Sequence, residues 1–274
     1  MEMSKVYVIT GGSGGMGKEI AKRFGDKGTI VLADVSEERL ATAVEELAAA
    51  GITDVIAQTV DITNKLQVQE LADKAASLGD LGAIVHTAGL SPTMADSKRI
   101  MLVNLVGTGY ILDSFLAYAK TGTVAVCISS MAGHMTPSGP YDEILKNPLQ
   151  ADVVEEMEKF TKGSSGAAYS LSKLGVQLIV EDQAWAWGQK GARIVSVSPG
   201  TFNTPMGRQE ASQSQQMKML LDNTPLGREG EPSEIASVVH FLCSEESSYI
   251  TGTDIRIDGG TIANMRKLSK SQEQ

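Results

Sequence analysis

The sequence predicts a doubly wound α/β fold with a mainly parallel, seven-stranded sheet and helices on both faces. Seven short runs are rich in β-branched residues and almost continuously apolar, as expected of parallel strands covered on both sides. The runs are 6–10, 29–34, 54–60, 82–87, 123–129, 192–198 and 253–257. Helical patterns separate the runs, and strands that alternate with helices of this length indicate parallel βαβ units.

The first two helices have clear sequence signals. Ile20, Ala21 and Phe24 form one apolar stripe in the segment that follows the first strand. The second helix should begin after Ser36, a typical N-cap, with two glutamates in its first turn where acids suit the helix dipole. Both helices therefore return the chain along the sheet, as the fold class requires.

The composition limits how many domains the chain can form, which partners it can bind and where it can be located. The chain has 274 residues, 42% of them hydrophobic, and no linker rich in Pro, Gly or Ser divides it, so we expect one domain over residues 1–274. A net charge of −9 disfavours nucleic-acid or anionic membrane partners. Cys127 and Cys243 are far apart in the sequence and lie in apolar settings, which suits buried thiols in a reducing compartment better than a disulfide. No apolar run reaches the ~18 residues that span a bilayer. We expect a cytoplasmic protein without a membrane partner.

A glycine-rich turn, TGGSGGMG at residues 10–17, joins the first strand to the first helix. Glycines let the backbone approach a pyrophosphate, and the helix N-terminus supplies free N–H groups. A glycine cluster alone also fits a flexible hairpin, but this one has the strand–turn–helix setting that nucleotide binding needs. The turn therefore predicts a dinucleotide site, whether its glycines are matched to G-x-G-x-x-G or to T-G-x-x-x-G-x-G.

Asp34 indicates which dinucleotide is bound. It ends the second strand 17 positions after Gly17, near the ~20-residue spacing at which a carboxylate meets the ribose hydroxyls. A carboxylate there repels a 2′-phosphate, and Ser13, Val35 and Ser36 offer no cation. A solvated aspartate at a strand end is a common alternative, but together with the glycine turn Asp34 favours NAD over NADP.

Several motifs together resemble those of the short-chain dehydrogenase/reductase family over essentially the whole chain. They are the T-G-x-x-x-G-x-G turn, Asp61–Ile62, TAGL at 87–90, Asn104 in MLVNLVGT, Ser130 in ISSMAG, YSLSK at 169–173, SPGTFNTPM at 198–206 and the final PSEIASVVHFLCSEESSYITGTDIRIDGG. Thr87 stands where the family more often has asparagine. The resemblance implies a Rossmann-type fold and an oxidoreductase that moves a hydride between an alcohol carbon and nicotinamide.

The resemblance also implies roles for individual side chains. Tyr169 and Lys173 are four apart and share a helix face, so the ammonium can stabilise the phenolate of a tyrosine that acts as acid and base. In the family the lysine also holds the nicotinamide ribose. Ser130 would bind the substrate oxygen, and Asn104 would support a water chain that carries the proton away. The implied cofactor contacts are Gly11, Ser13, Gly15, Met16, Gly17, Asp34, Asp61, Ile62, Ala88, Gly89, Tyr169, Lys173, Pro199, Gly200 and Thr204.

No metal site is expected. His86, His134 and His240 lack the spacing of metal ligands, which predicts structural or surface roles for them. The WAWG motif at 185–188 is interpreted as core packing at a helix end.

A second tyrosine competes for the catalytic role. Tyr141 lies 11 positions after Ser130, close to the family's usual dozen, whereas Tyr169 lies 39 positions after it. However, Lys146 is five positions from Tyr141, which places the two on different sides of a helix. The prolines that bracket this stretch also leave little room for a stable helix. Tyr169, which opens a long helical pattern, is the better candidate.

Residues from about 136 to 166 are therefore predicted to be an insertion near the mouth of the site, with an amphipathic helix in QADVVEEMEKFTK. This layout resembles the bacterial NAD-dependent 3α-hydroxysteroid dehydrogenase/carbonyl reductase branch. The likeness implies a hydrophobic alcohol or ketone substrate, first a hydroxysteroid or bile acid. Another bulky alicyclic alcohol remains open, as does an NAD(H)-sensing binding protein that has lost the chemistry.

The Met-rich segment 201–231 resembles the lid over the family's substrate pocket. Candidate pocket residues are Phe202, Met206, Met217 and Leu220, with ordinary helix packing as an equal alternative. The family usually forms homo-oligomers through helices next to the catalytic tyrosine. The insertion lies beside those helices, where it can block this contact between subunits. A dimer and a tetramer are therefore equally expected.

Overall fold

A seven-stranded, wholly parallel sheet forms the centre of the computed structural model, which describes residues 4–204, 207 and 215–272. The strand order is β3-β2-β1-β4-β5-β6-β7. The strands are β1 (Lys5–Thr10), β2 (Thr29–Asp34), β3 (Val55–Thr59), β4 (Asp80–His86), β5 (Val124–Ile128), β6 (Arg193–Pro199) and β7 (Thr253–Ile257). Each strand end lies within two residues of its prediction, so the predicted fold class is confirmed.

Helices cover both faces of this sheet. They are α1 (Gly15–Phe24), α2 (Glu37–Ala49), α3 (Lys65–Leu78), α4 (Ser97–Leu116), α5 (Met131–His134), α6 (Asp142–Lys146), α7 (Val153–Thr161), α8 (Ser165–Gly188), α9 (Gln215–Asp222), α10 (Pro232–Leu242) and α11 (Thr261–Gln272). The predicted stripe of α1 is buried, and the Ser36 Oγ accepts a hydrogen bond from the Arg39 N–H at 3.3 Å as the N-cap of α2.

Two apolar clusters fill the space between the sheet and its helices. One lies under α1, α2 and α10, and the other lies under α3, α4 and α8. Core packing was predicted for the WAWG motif, but only one of its two tryptophans is buried in the core. Trp187 is fully buried in the second cluster, but Trp185 is 77% exposed because residues two apart on a helix face different sides.

The order of the strands reverses between β1 and β4. The chain continues from β1 to β2 on one side, whereas β4 pairs with β1 on the other. Loops that leave the carboxyl ends of these two strands diverge, and ligands of open α/β sheets bind in the crevice between them.

Helix α4 passes beside this crevice and contains a π-helical turn at Leu102–Val106. Such turns are often found at functional sites. Within the described ranges, α4 is the one helix whose length and composition would allow it to cross a membrane. However, 72% of its most apolar window is buried inside the protein, as in a core helix.

The segment 136–166 packs outside the sheet, against α8 and α4. Leu145 of α6 is fully buried and contacts Gly175 of α8. Helix α7 is the predicted amphipathic helix, with Val153 and Met157 buried. Helix α6 spans only five residues between the two prolines, in a stretch where the sequence left little room for a stable helix.

Candidate active site

A cleft of about 580 Å³ opens at the carboxyl ends of the strands, at the point where the strand order reverses. Its size lies in the ~300–1,000 Å³ range usual for ligand sites. The structure places every predicted cofactor contact in its lining: Gly11, Ser13, Gly15, Met16, Gly17, Asp34, Asp61, Ile62, Ala88, Gly89, Tyr169, Lys173, Pro199, Gly200 and Thr204. Residues spread over the whole chain thus meet at one surface.

In the glycine turn, neighbouring backbone atoms lie too close for a side chain at Gly11 and at Gly17. Gly11 has φ +65°, and a Cβ there would lie 2.7 Å from the Ala88 nitrogen. A Cβ on Gly17 would lie 2.5 Å from the Gly11 carbonyl oxygen. This close packing brings the N-terminus of α1 to the cleft wall, and free N–H groups with the positive end of a helix dipole suit phosphate. The residues present therefore fit a dinucleotide.

We expect Gly17→Ala to weaken NADH binding by at least about tenfold and to lower the free energy of unfolding by ~1–3 kcal/mol, because the new methyl group collides with backbone. Gly14→Ala is the matched control. Its Cβ would meet the same Gly11 oxygen at 3.2 Å, so its losses should be much smaller. NADH fluorescence titration and thermal unfolding measure both effects, and equal losses in the two variants would contradict the steric argument.

Tyr169 and Lys173 lie on one face of α8, and Ser130 caps the nearby helix α5; all three line the cleft. The Lys173 Nζ lies 5.8 Å from the centroid of the Tyr169 ring and donates a hydrogen bond to the Ile128 carbonyl at 2.9 Å. Burial lowers the pKa of Lys173 to about 8. In the described part of the chain no carboxylate pairs with this ammonium, so its charge is directed toward the tyrosine and the cleft.

Asn104 lies behind the cleft rather than in its lining. Its side chain accepts a hydrogen bond from the Leu90 N–H at 2.7 Å and donates to the Leu90 carbonyl at 2.9 Å. It also donates to the Ser172 hydroxyl at 3.2 Å. Asn104 therefore holds the loop after β4 against the helix that carries the tyrosine.

Tyr141 is remote from this arrangement. Its hydroxyl donates to the Pro137 carbonyl at 2.5 Å, and its ring meets Phe160 edge to face with centroids 5.4 Å apart. Lys146 pairs with Glu143 at 2.7 Å. Neither Tyr141 nor any other residue of the 136–166 segment lines the cleft.

Gln177 was missed by the sequence analysis. It lies one helical turn after Lys173, and its Nε2 is within 3.3 Å of the Ser129 hydroxyl, the Ser130 carbonyl and the Ser198 hydroxyl. The spacing 169, 173 and 177 places these three side chains on one helix face, which is the signal that could have identified it. Gln177 fixes the strand end that presents Ser130.

Only some of the residues predicted for the substrate pocket line the cleft. Phe202 lines the cleft, but Leu220 does not, because it packs against Met131 and Ile262 instead. Met206 lies outside the described residues, and so does the side chain of Met217. Leu90, Met94 and Val103 supply apolar lining that was not predicted.

Two arginines in the lining of the cleft pair with carboxylates that also line it. Arg99 pairs with Asp61 at 3.4 Å, and Arg39 pairs with Asp34 at 3.0 Å. Although burial raises the pKa of Asp61, hydrogen bonds from Thr63 and the charge of Arg99 hold it below its ordinary value. No group of three or more His, Cys, Asp or Glu side chains within the described ranges is arranged to hold a metal ion.

His86 is buried beneath the cleft between two threonines. Its Nδ1 lies 2.7 Å from the Thr10 hydroxyl, and its Nε2 lies 3.0 Å from the Thr108 hydroxyl. Because Thr108 donates its proton to the Asn104 carbonyl, it accepts from the Nε2–H of a neutral imidazole. Burial, with a smaller effect of the Lys173 charge, lowers the pKa of His86 to about 3.

We expect His86 to make the fold acid-sensitive. Its pKa of about 3 in the folded protein is below the unfolded value of 6.5, so the unfolded state binds more protons between these pH values. The stabilisation is complete above pH 6.5 and decreases as the pH falls to about 3, by ~5 kcal/mol at 1.36 kcal/mol per unit. Denaturant titrations at several pH values measure this slope. His86→Asn keeps one acceptor and one donor without titrating, so an unchanged slope in that variant would count against His86.

Comparisons with known proteins agree with this geometry. The family model described as short chain dehydrogenase matches residues 5–140, and that described as Enoyl-(Acyl carrier protein) reductase matches residues 156–261. A short-chain dehydrogenase/reductase of Alternaria brassicicola is 35% identical over 98% of this chain and 100% of its own length. The 3-alpha-hydroxysteroid dehydrogenase/carbonyl reductase of Comamonas testosteroni is 34% identical over 72% of this chain and 79% of its own length.

Among solved structures, a short-chain type dehydrogenase/reductase from Mycobacterium ulcerans has the same fold. It superposes with a TM-score of 0.78 at 24% identity, covering 96% of this chain and 92% of that one. The relative from Alternaria brassicicola matches along nearly the whole of both sequences. The chain therefore belongs to the short-chain dehydrogenase/reductase family of oxidoreductases.

Proposed function

We propose that this oxidoreductase uses NAD(H) to interconvert a secondary alcohol and a ketone within one catalytic domain. One observation carries the proposal: Ser130, Tyr169 and Lys173 share a single cleft with the glycine turn and Asp34. The cleft thus combines an acid/base group, an oxygen-binding hydroxyl and a dinucleotide cradle. A binding protein without chemistry has no need for the first two.

The chemistry of each side chain determines its role in the proposed reaction. When bound, NAD(H) supplies the acceptor or donor of the hydride. Tyr169 takes the proton of the alcohol or returns it to the ketone, and the buried ammonium of Lys173 stabilises the phenolate in between. Ser130 donates a hydrogen bond to the substrate oxygen, where negative charge develops. Asn104 and Gln177 keep the loop and the strand end in place behind these groups.

For the substrate we propose a hydroxysteroid or bile acid. Support comes from the apolar side chains Leu90, Met94, Val103 and Phe202 in the cleft lining, and from the similarity to the hydroxysteroid dehydrogenase of Comamonas testosteroni. A second candidate is another bulky alicyclic alcohol, which the same apolar surface favours. We also propose a homo-oligomer, either a dimer or a tetramer.

NADH absorbance after mixing the protein and NAD with a panel of alcohols tests the proposal. The panel contains 3α-hydroxysteroids, bile acids and alicyclic alcohols without a steroid ring. Turnover of the steroids alone supports the first candidate, and turnover of the other alcohols alone supports the second. Tight NADH binding without turnover of any panel member would contradict the catalytic assignment.

A further inference from the structure

Arg39 occupies an unusual position for a cation. It lies in the first turn of α2, whose positive dipole end favours acids, and it follows Glu37 and Glu38, which satisfy that preference. Its side chain nevertheless reaches the cleft and pairs with Asp34. An arginine that opposes the helix dipole to reach a ligand cleft needs an explanation beyond helix stability.

The bonding of Asp34 shows which of its partners can leave. Its Oδ2 accepts from the Ser13 N–H at 3.3 Å and from the Ser13 hydroxyl at 2.5 Å. Its Oδ1 accepts from the Ser36 N–H at 3.4 Å and from the Arg39 Nη2 at 3.0 Å. The Asp34 side chain is 9% exposed, whereas that of Arg39 is 59% exposed. The carboxylate is therefore fixed, and the guanidinium is the partner that a ligand can displace or attract.

The other three cations in the described lining of the cleft are engaged elsewhere, and one of them is Lys173, which lies beside Tyr169. The Lys18 Nζ pairs with Glu46 at 2.6 Å, and the nearest carboxylate partner of Arg99 is Asp61, at the end of a different strand. Arg39 is thus the cation placed beside the carboxylate that would meet the adenosine ribose. Guanidinium is also the side-chain group best suited to a phosphate, which it can bind through two parallel hydrogen bonds.

We propose that Arg39 is a second determinant of cofactor preference, a latent anchor for the 2′-phosphate of NADP(H) that Asp34 restrains. This inference rests on the proposed dinucleotide function. In the native chain the Asp34 charge occupies Arg39 and repels the phosphate, so NAD(H) is preferred. Without that charge the guanidinium is free, and the same cleft accepts NADP(H). Preference is set by the pair rather than by the aspartate alone.

The test is a double-mutant cycle read by binding. Asp34→Asn, Arg39→Gln and the double variant are titrated with NADH, NADPH and the fragments ADP and 2′,5′-ADP, using fluorescence and calorimetry. Asp34→Asn should tighten NADPH and 2′,5′-ADP by at least about tenfold, the size of one charge-assisted contact. Arg39→Gln alone should change NADH and ADP binding little, and in the double variant it should remove the roughly tenfold gain for NADPH and 2′,5′-ADP.

Arg99→Gln is the matched control, since it removes a second arginine of the same cleft and should leave the NADPH-to-NADH affinity ratio within about threefold. A gain from Asp34→Asn that persists undiminished in the double variant overturns the role of Arg39. Thermal unfolding with NADH verifies that each variant is folded. Failure of the native chain to bind NADH would refute the proposed function itself, whereas NADH binding without coupling between the two positions refutes only this inference.

Discussion

Tyr169→Phe is expected to lower kcat by about 10²–10⁴-fold, the usual contribution of a positioned acid or base, while NADH affinity changes by less than about threefold. The substitution removes one hydroxyl and retains the ring against which Lys173 lies. The variant should therefore fold and bind the cofactor but have no group to exchange a proton with the substrate oxygen. Steady-state turnover and NADH titration separate the two effects.

Tyr141→Phe provides the matched control for this experiment. Tyr141 lies near the start of the segment 136–166 and Tyr169 lies just after its end, and each variant loses only a hydroxyl. Tyr141 bonds the Pro137 carbonyl outside the cleft, so its loss should cost ~1 kcal/mol of stability and leave turnover nearly unchanged. If Tyr141→Phe were the inactive variant, the assignment of the acid/base to α8 would be wrong.

Lys173→Met is expected to abolish turnover and yet to raise the free energy of unfolding at pH 7. Burial lowers the pKa of Lys173 from 10.5 to about 8, so its charge is held in the fold at an energetic cost. The difference corresponds to ~3 kcal/mol at 1.36 kcal/mol per unit. Methionine has similar length without the charge, and it loses the hydrogen bond to the Ile128 carbonyl and the contact of the ammonium with the Tyr169 ring. Stability up to about 3 kcal/mol higher should accompany the loss of activity.

The pH dependence of the free energy of unfolding independently tests whether the buried charge of Lys173 destabilises the fold. Between pH 8 and 10.5 the unfolded state binds more protons at this lysine than the folded state, so the native protein should become more stable as the pH rises through that window. Lys173→Met should lack this rise. Lys146→Met, which removes a partly exposed lysine of the segment 136–166, should retain it. Denaturant midpoints at pH 7, 8, 9 and 10 give the comparison, and parallel curves for both variants would contradict the explanation.

The strands, the glycine turn and Asp34 were predictable because their signals are local, whereas most other residues of the cleft lining were predicted from the family resemblance. A buried parallel strand is a continuous apolar run, and the glycine turn follows one such run directly while Asp34 ends the next. Once the strands are parallel, their carboxyl ends must meet at one edge of the sheet. Residues as far apart as Gly11 and Pro199 therefore reach a common cleft without any long-range information from the sequence.

Side chains whose role depends on a distant partner were not predictable in this way. His86 is explained by Thr10 and Thr108, which belong to a neighbouring strand and to α4. Arg39 is separated from Asp34 by the start of α2, so the sequence does not show that its side chain returns to the strand end. Leu220 shows what composition alone cannot predict. An apolar, Met-rich segment indicates that one of its faces is buried, but not whether that face lines the cleft or packs against other helices.

The segment 136–166, which we predict to be an insertion, has a consequence for how this fold can be redesigned. It begins shortly after Ser130 and ends shortly before Tyr169, and both of these side chains line the cleft although 39 positions separate them. Lengthening a connection from about 12 to about 39 residues costs only ~1 kcal/mol of closure entropy. Burial of Leu145 and Met157 on the outer side of α8 offsets that cost. We therefore expect that this segment can be replaced by another of similar packing, which would change an outer face of the protein while the residues that line the cleft stay the same.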